Sequence, residues 1–233
     1  MNEEKIVGIL GGMGPFTTID FFHRLVSMTP ARKDWEHLRI IIDNNVKIPS
    51  RTRAILYNEA SPVPGMIESI NNLASIGADF VTVPCNSAHH FYPQVADRIR
   101  IPWLNMIEIV SQVVTNNKSR PLVLGGYVTL TQKTYSKYIP EAVYPLETDN
   151  DIVWSAIEEI KLTNVLCPAS KSRLEAVIQK MSNEIDSILL ACTEFSIAYE
   201  GCTNLNGLKI IDSSTEYAKA TINFAKKINK LPN

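Results

Sequence analysis

Short apolar runs alternate with longer amphipathic stretches along almost the whole of this chain, and that alternation restricts it to an α/β architecture. Predicted strands are Ile6–Leu10, Leu38–Asp43, Phe80–Val83, Leu122–Leu124 and Ser187–Leu190, with Lys209–Ile211 as a further candidate. Several are almost wholly apolar, as parallel strands covered by helices on both faces must be. Helical periodicity predicts Thr17–Met28, Pro64–Ile76, Thr131–Tyr138, Ile152–Leu162, Lys171–Met181 and Ser214–Lys230.

The two halves echo one another. Leu10-Gly11-Gly12-Met13-Gly14-Pro15-Phe16-Thr17 can be laid on Leu124-Gly125-Gly126-Tyr127-Val128-Thr129-Leu130-Thr131. Each follows an apolar strand and precedes a helical pattern. Further along, Phe80-Val81-Thr82-Val83-Pro84-Cys85-Asn86-Ser87 and Ile188-Leu189-Leu190-Ala191-Cys192-Thr193-Glu194 are both strands ending in Cys plus polar residues. Two matches in the same order imply two related α/β halves. The polar segment Thr115–Arg120 is the expected linker between them.

Charge excludes several partners. Among 233 residues, 23 are Lys or Arg and 24 are Asp or Glu, a formal net charge of −1. No basic stripe recommends nucleic acid or a lipid surface, so a small-molecule ligand is expected. The apolar run after Met1-Asn2-Glu3-Glu4-Lys5 is too short to span a bilayer and lacks a signal-peptide pattern, so a cytoplasmic location is expected. The 4 cysteines, Cys85, Cys167, Cys192 and Cys202, form no C-x-x-C pair and no disulfide framework.

In an open α/β sheet, ligands bind beyond the carboxyl ends of the strands. Cys85 and Cys192 both fall there, each just before an expected helix start whose amides favour a thiolate. Asn86 and Ser87 follow the first and Thr193 the second, and these could bind a carboxylate. If the halves face one another, one thiol approaches each face of a bound substrate. Inversion at carbon needs that arrangement: a base on one face and an acid on the other. A thiol with an ordinary pKa near ~8.5 can serve as either. Amides of the Gly11–Gly14 turn are candidates to stabilise charge developing on the substrate carboxylate.

A lone cysteine after a buried strand is more often packing than chemistry, and Cys167 is read that way, while Cys202 has no assigned role. The glycine turn is neither G-x-G-x-x-G nor a P-loop, which argues against a nucleotide. Cys85 with His89 and His90 suggests zinc, yet no second ligand pair stands at metal spacing. Cys85 with His89 could also be the nucleophile and base of a thiol hydrolase, which leaves Cys192 unexplained. Arg51 and Lys161 are possible anchors for a side-chain carboxylate, against the simpler reading of solvated cations.

At these residues the sequence resembles the aspartate/glutamate racemase family, most closely its aspartate racemase branch. The resemblance runs through Gly11-Gly12-Met13-Gly14-Pro15 with Thr18, Pro84-Cys85-Asn86-Ser87-Ala88-His89, Ile101-Pro102-Trp103-Leu104-Asn105-Met106-Ile107-Glu108 and Ala191-Cys192-Thr193-Glu194. It implies two similar three-layer α/β domains with parallel sheets, related by a pseudo-twofold axis, with the active site in the cleft between them. Residues 1–114 with 213–233 would form the first domain, the last helix returning to it, and 115–212 the second. It implies Cys85 and Cys192 as the acid/base pair, no pyridoxal phosphate or other cofactor, no metal, and a homodimer. Gly12, Met13, Asn86, Ser87, Ala88, Thr129, Thr193 and Glu194 would line the substrate, with Arg51 and Lys161 on its distal carboxylate. The chain departs from the family pattern at Gly126 and Ser87, where Thr is usual, and at Phe195-Ser196, where Leu-Pro is common. These changes leave the proton chemistry intact and bear on specificity. The expected activity is racemisation of aspartate, with glutamate or a broader set open. A decarboxylase or cis–trans isomerase of dicarboxylic acids, or a non-catalytic binder of acidic metabolites, stands as the alternative.

Overall fold

The computed structural model describes residues 4–226. The chain divides into two compact units, one running to Met106 and resuming at Ser214, the other spanning Ile107–Ser213. In chain order the regular elements are β1 (Val7–Gly11), α1 (Pro15–Met28), β2 (Ile40–Asn44), α2 (Arg51–Leu56), α3 (Val63–Ser75), β3 (Phe80–Thr82), α4 (Tyr92–Val95) and α5 (Met106–Asn116). There follow β4 (Pro121–Gly125), α6 (Tyr127–Thr131), α7 (Asn150–Thr163), α8 (Pro168–Met181), β5 (Ser187–Ala191), α9 (Thr193–Ala198), β6 (Asn204–Leu205), β7 (Leu208–Asp212) and α10 (Ser213–Ala225).

In the first unit three parallel strands run in the order β2-β1-β3. Every residue of β1 is buried, as its unbroken Val-Gly-Ile-Leu-Gly run requires of a central strand. Gly8 lies opposite Ile41 on one side and Val81 on the other. Pro15 occupies the first position of α1, where its missing N–H costs nothing, and Thr17 exchanges hydrogen bonds with Gly14 to cap the helix. Helix α10 packs in this unit: Phe224 meets Phe80 edge-on at 4.7 Å, and the Tyr217 hydroxyl accepts the Val83 N–H at 3.1 Å. That bond fixes the backbone two residues before Cys85.

The second unit carries four strands in the order β4-β5-β7-β6. The first three are parallel, and their apolar residues Leu122, Val123, Leu124, Ile188, Leu189 and Leu190 are buried. Each such side chain contributes about 1.5–3 kcal/mol of burial free energy. The expectation of parallel sheets needs one correction, because β6 pairs antiparallel with β7. The cause is the Asn206-Gly207 turn, in which both residues hold positive φ, at 52° and 86°, the geometry that joins adjacent strands in a two-residue hairpin.

Most expected helices begin within a few residues of the observed ones; the short helices α2 and α4 were not expected, and two further departures stand out. The helix expected at Thr131–Tyr138 is instead α6, starting directly after Gly126, and the chain breaks into turns at Lys133, whose φ is 45°. Helix α5 was not expected, although Met106, Val110 and Val114 recur at helical spacing and are fully buried. The end of the Ser214–Lys230 expectation lies outside the described residues. Among the described residues, no helix is long and apolar enough to cross a membrane.

The two glycine turns share a close approach that only glycine permits. A Cβ on Gly11 would stand 2.3 Å from Thr18 Cγ2, and one on Gly125 would stand 2.7 Å from Thr129 Cγ2. Gly11→Ala is therefore expected to destabilise the fold by about 1–3 kcal/mol through overpacking. Urea unfolding of Gly11→Ala, Thr18→Ala and the double variant should show the pair costing less together than the sum of the two singles. Strict additivity would contradict the contact.

Candidate active site

In each unit a glycine turn and a cysteine follow the carboxyl ends of adjacent parallel strands. Gly125 of β4 pairs with Ala191 of β5, and Cys192 is the next residue. In the first unit Ile9 of β1 pairs with Thr82 of β3. There β3 ends, and Cys85 follows three residues later, after a turn in which its N–H donates to the Val83 carbonyl at 2.7 Å. Each cysteine is extended and caps the helical turn that follows it, with φ −155° at Cys85 and −141° at Cys192.

Cys85 is buried among apolar side chains that include Met13, Ile48 and Ala88. Asn86 and Ala88 are buried and Ser87 is half-buried in the turn that the cysteine caps. Arg51, at the start of α2, donates from Nη2 to the Met13 carbonyl at 3.4 Å and from Nη1 to the Pro49 carbonyl at 3.2 Å. Its Nε is buried without a partner. The glycine turn, Arg51 and the apolar cluster that holds Cys85 thus share one end of the first sheet. Gly12 holds φ at 85°, and a Cβ there would meet the Asn45 carbonyl carbon at 2.4 Å, so no other residue fits the turn. Its N–H is committed to Thr18 Oγ1 at 2.9 Å.

His89 is not positioned to act as a base for Cys85. Its Nδ1 lies 2.9 Å from the Cys85 carbonyl, and its Nε2 accepts the Met106 N–H at 3.0 Å. An accepting Nε2 places the single ring proton on Nδ1, which donates to Cys85 O. Burial lowers its pKa to about 4, so the ring is neutral near pH 7. With both nitrogens engaged it has no lone pair for a thiol proton or for zinc, and the hydrolase and zinc readings lose their second residue. What His89 does is hold the Cys85 carbonyl and the start of α5 together. The i,i+4 spacing of Cys85 and His89 was legible in the sequence; the direction of the ring was not.

In the second unit Cys192 is half-buried and donates its S–H to Glu194 Oε2 at 2.9 Å. Thr193 and Glu194 are buried beside it. Burial, and then the Glu194 charge, push the Cys192 thiol well above its usual range. Lys161, in the last turn of α7, bonds Glu158 at 2.6 Å. Burial works against its charge, but Glu158, Glu194 and Cys192 together hold its pKa above the ordinary value. Thr129, fully buried next to Gly125, has a hydroxyl without a partner. A buried polar atom left unpaired marks a place where a ligand can supply the missing bond; Arg51 Nε and Thr129 Oγ1 are two such atoms.

Comparison with known proteins gives the class. The model of the Asp/Glu/hydantoin racemase family matches residues 10–221. The chain is similar to the broad specificity amino-acid racemase RacX of Bacillus subtilis (strain 168), 25% identical over 224 residues that cover 93% of this chain and 96% of that protein. Among solved structures it is similar to the Picrophilus torridus aspartate racemase, with a TM-score of 0.85 and 34% identity over 95% of this chain and 94% of that one. A Thermus thermophilus glutamate racemase shares the fold at a TM-score of 0.67 and 16% identity, covering 99% of this chain and 84% of that one. The chain belongs to the Asp/Glu/hydantoin racemase family, and it is an amino-acid racemase.

The neutral, buried His89 makes stability pH-dependent. Its folded pKa of about 4 lies below the ordinary 6.5, so its stabilisation is complete above about pH 6.5 and is lost as pH falls toward about 4. The full loss is on the order of 3 kcal/mol. Urea titrations at several pH values should show that His89→Gln flattens this dependence relative to the parent chain. An unchanged slope would contradict a buried neutral imidazole.

Proposed function

We propose that this racemase interconverts L- and D-aspartate with Cys85 and Cys192 as its two bases, one meeting each face of Cα. The observation that carries the reading is a repeated placement: in each unit a cysteine follows the end of the strand that pairs in parallel with the one leading into the glycine turn. In one direction a thiolate removes the Cα proton, the electron pair delocalises onto the substrate carboxylate, and the opposite thiol returns a proton to the other face. The pair is left with its single proton on the other sulfur, ready for the enantiomer. Hydrogen-bond donors around the α-carboxylate, among them Thr129 with its unpaired hydroxyl and Thr193, stabilise the developing charge. Asn86, Ser87, Ala88, Met13 and Gly12 complete the lining.

Aspartate is favoured because two cations stand at the two cysteine sites, Arg51 by the glycine turn and Lys161 by Cys192. A guanidinium with a free Nε suits a second carboxylate. In this reading the enzyme needs no pyridoxal phosphate and no metal, and works in the cytoplasm as a homodimer. The Picrophilus relative supports aspartate and the Bacillus relative supports a wider range, so the substrate panel is decisive.

Incubation with L- and D-amino acids in heavy water, read by chiral analysis and mass, should show deuterium at Cα of aspartate and formation of its enantiomer. Cys85→Ala and Cys192→Ala should each lose racemisation by about 10²–10⁴-fold, the usual contribution of a positioned acid or base. Full racemisation by either variant overturns the two-thiol reading. Turnover of other amino acids with none of aspartate overturns the substrate. Arg51→Gln and Lys161→Gln should raise KM for aspartate more than for alanine; equal effects on both would remove the anchor role.

A further inference from the structure

The bond between Cys192 and Glu194 has a consequence for which sulfur carries the proton. A thiol and a carboxylate 2.9 Å apart share a single proton. Free thiols titrate near ~8.5 and free glutamate near ~4.3, so the proton belongs on sulfur. Removing it would set two negative charges side by side, and Glu194 is only 4% exposed, which leaves little water to screen them. The Cys85 turn is built differently. Its nearest i+4 partner is a neutral imidazole turned to the backbone, and the charged group beside its glycine turn is the Arg51 cation.

We propose that Glu194 stations the exchangeable proton of the thiol pair on Cys192, making Cys192 the acid of the resting enzyme and leaving Cys85 as its base. This rests on the two-thiol reading above. Glu194 acts through the sulfur and is a positioning residue. After Cys192 gives its proton to the Cα carbanion it stands as a thiolate beside Glu194. It regains a proton from Cα of the opposite enantiomer, or from solvent while Cys85 releases to solvent the proton it took from Cα, so each cycle returns the pair to one thiol and one thiolate.

Other charged groups of the second unit do not cancel the effect. Lys161 of α7 faces Cys192 and Glu194 and opposes it, but its ammonium is tied to Glu158 at 2.6 Å. Asp212, at the end of β7, accepts the Ser196 hydroxyl of α9. Tyr199, at the end of α9, lies near Lys171 and Glu175. Burial and Glu194 together hold the Cys192 thiol well above its ordinary range, in the same direction as the geometry.

The test is the pH dependence of iodoacetamide alkylation at each cysteine, read by peptide mass, in wild type and in Glu194→Gln. The exposed Cys202 serves as an internal reference in the same sample. In wild type the Cys192 midpoint should lie above that of Cys202. In E194Q it should fall by about one pH unit or more, the size expected on removing an adjacent like charge. The midpoint of Cys85 should stay in place. The alkaline limb of kcat/KM for aspartate should move to lower pH by a similar amount while the acid limb holds. Should E194Q fail to fold, the wild-type comparison decides: a Cys192 midpoint at or below that of Cys202 overturns the proposal. An unmoved Cys192 midpoint in folded E194Q overturns it as well. Because alkylation needs no turnover, this result is separable from failure of the racemisation reading, which the Cys→Ala variants judge.

Discussion

The place where a parallel strand stops decides what this chain can do. Strand ends in an α/β sheet expose backbone amides and point the next residue toward solvent or ligand, and the hydrogen-bonded register sets which residues emerge side by side. Here the pairing of Gly125 with Ala191 brings a glycine turn level with Cys192, and in the first unit Cys85 follows the end of β3, the strand beside β1 and its glycine turn. A slip of one residue in either pair would turn the thiol to the other face of its sheet. The close contacts of Gly11 with Thr18 and Gly125 with Thr129 then hold each following helix against its own strand end.

Around that common frame the two sites differ in charge. The Cys85 turn is fixed by a histidine kept neutral through burial and two backbone bonds. The Cys192 turn is fixed by a carboxylate that accepts the thiol proton, with a lysine close by. A racemase must treat mirror-image substrates with groups that cannot themselves be mirror images. On the proposed two-thiol mechanism, unequal environments settle where the one shared proton rests between turnovers, because groups in different surroundings are pushed to different pKa values.

Much of this was legible in the chain. The strands stood out because parallel strands are apolar on both faces, and Ile188–Leu190 or Leu122–Leu124 leave little choice. The Gly-Gly echo and the two strand-end cysteines were visible as text. The Asn206-Gly207 hairpin was equally visible, being a two-residue loop between Leu205 and Leu208, but the strand before it is only two residues long and carries no periodicity. Helix α5 was hidden by its own composition, since Ile107, Ile109, Val110, Val113 and Val114 favour strands locally and only burial at every third or fourth position reveals the helix. Side-chain direction was beyond reach altogether. Cys85 and His89 at i,i+4 read equally well as a catalytic pair, a metal half-site or a structural link, and only the two backbone bonds to the ring separate them. For Glu194 the sequence offered a substrate contact, and the bond its carboxylate accepts from the Cys192 S–H was not legible there.

The central claim is that two sulfurs address one carbon from opposite sides. A crystal structure of the Cys85→Ser/Cys192→Ser double variant with bound aspartate tests it most directly, because the substitutions keep the positions while removing the chemistry. The account predicts both serine hydroxyls within about 3.5 Å of Cα, the separation at which a proton can be passed, on opposite faces of the bound molecule. Two hydroxyls on the same face, or either one at roughly twice that distance, would contradict it.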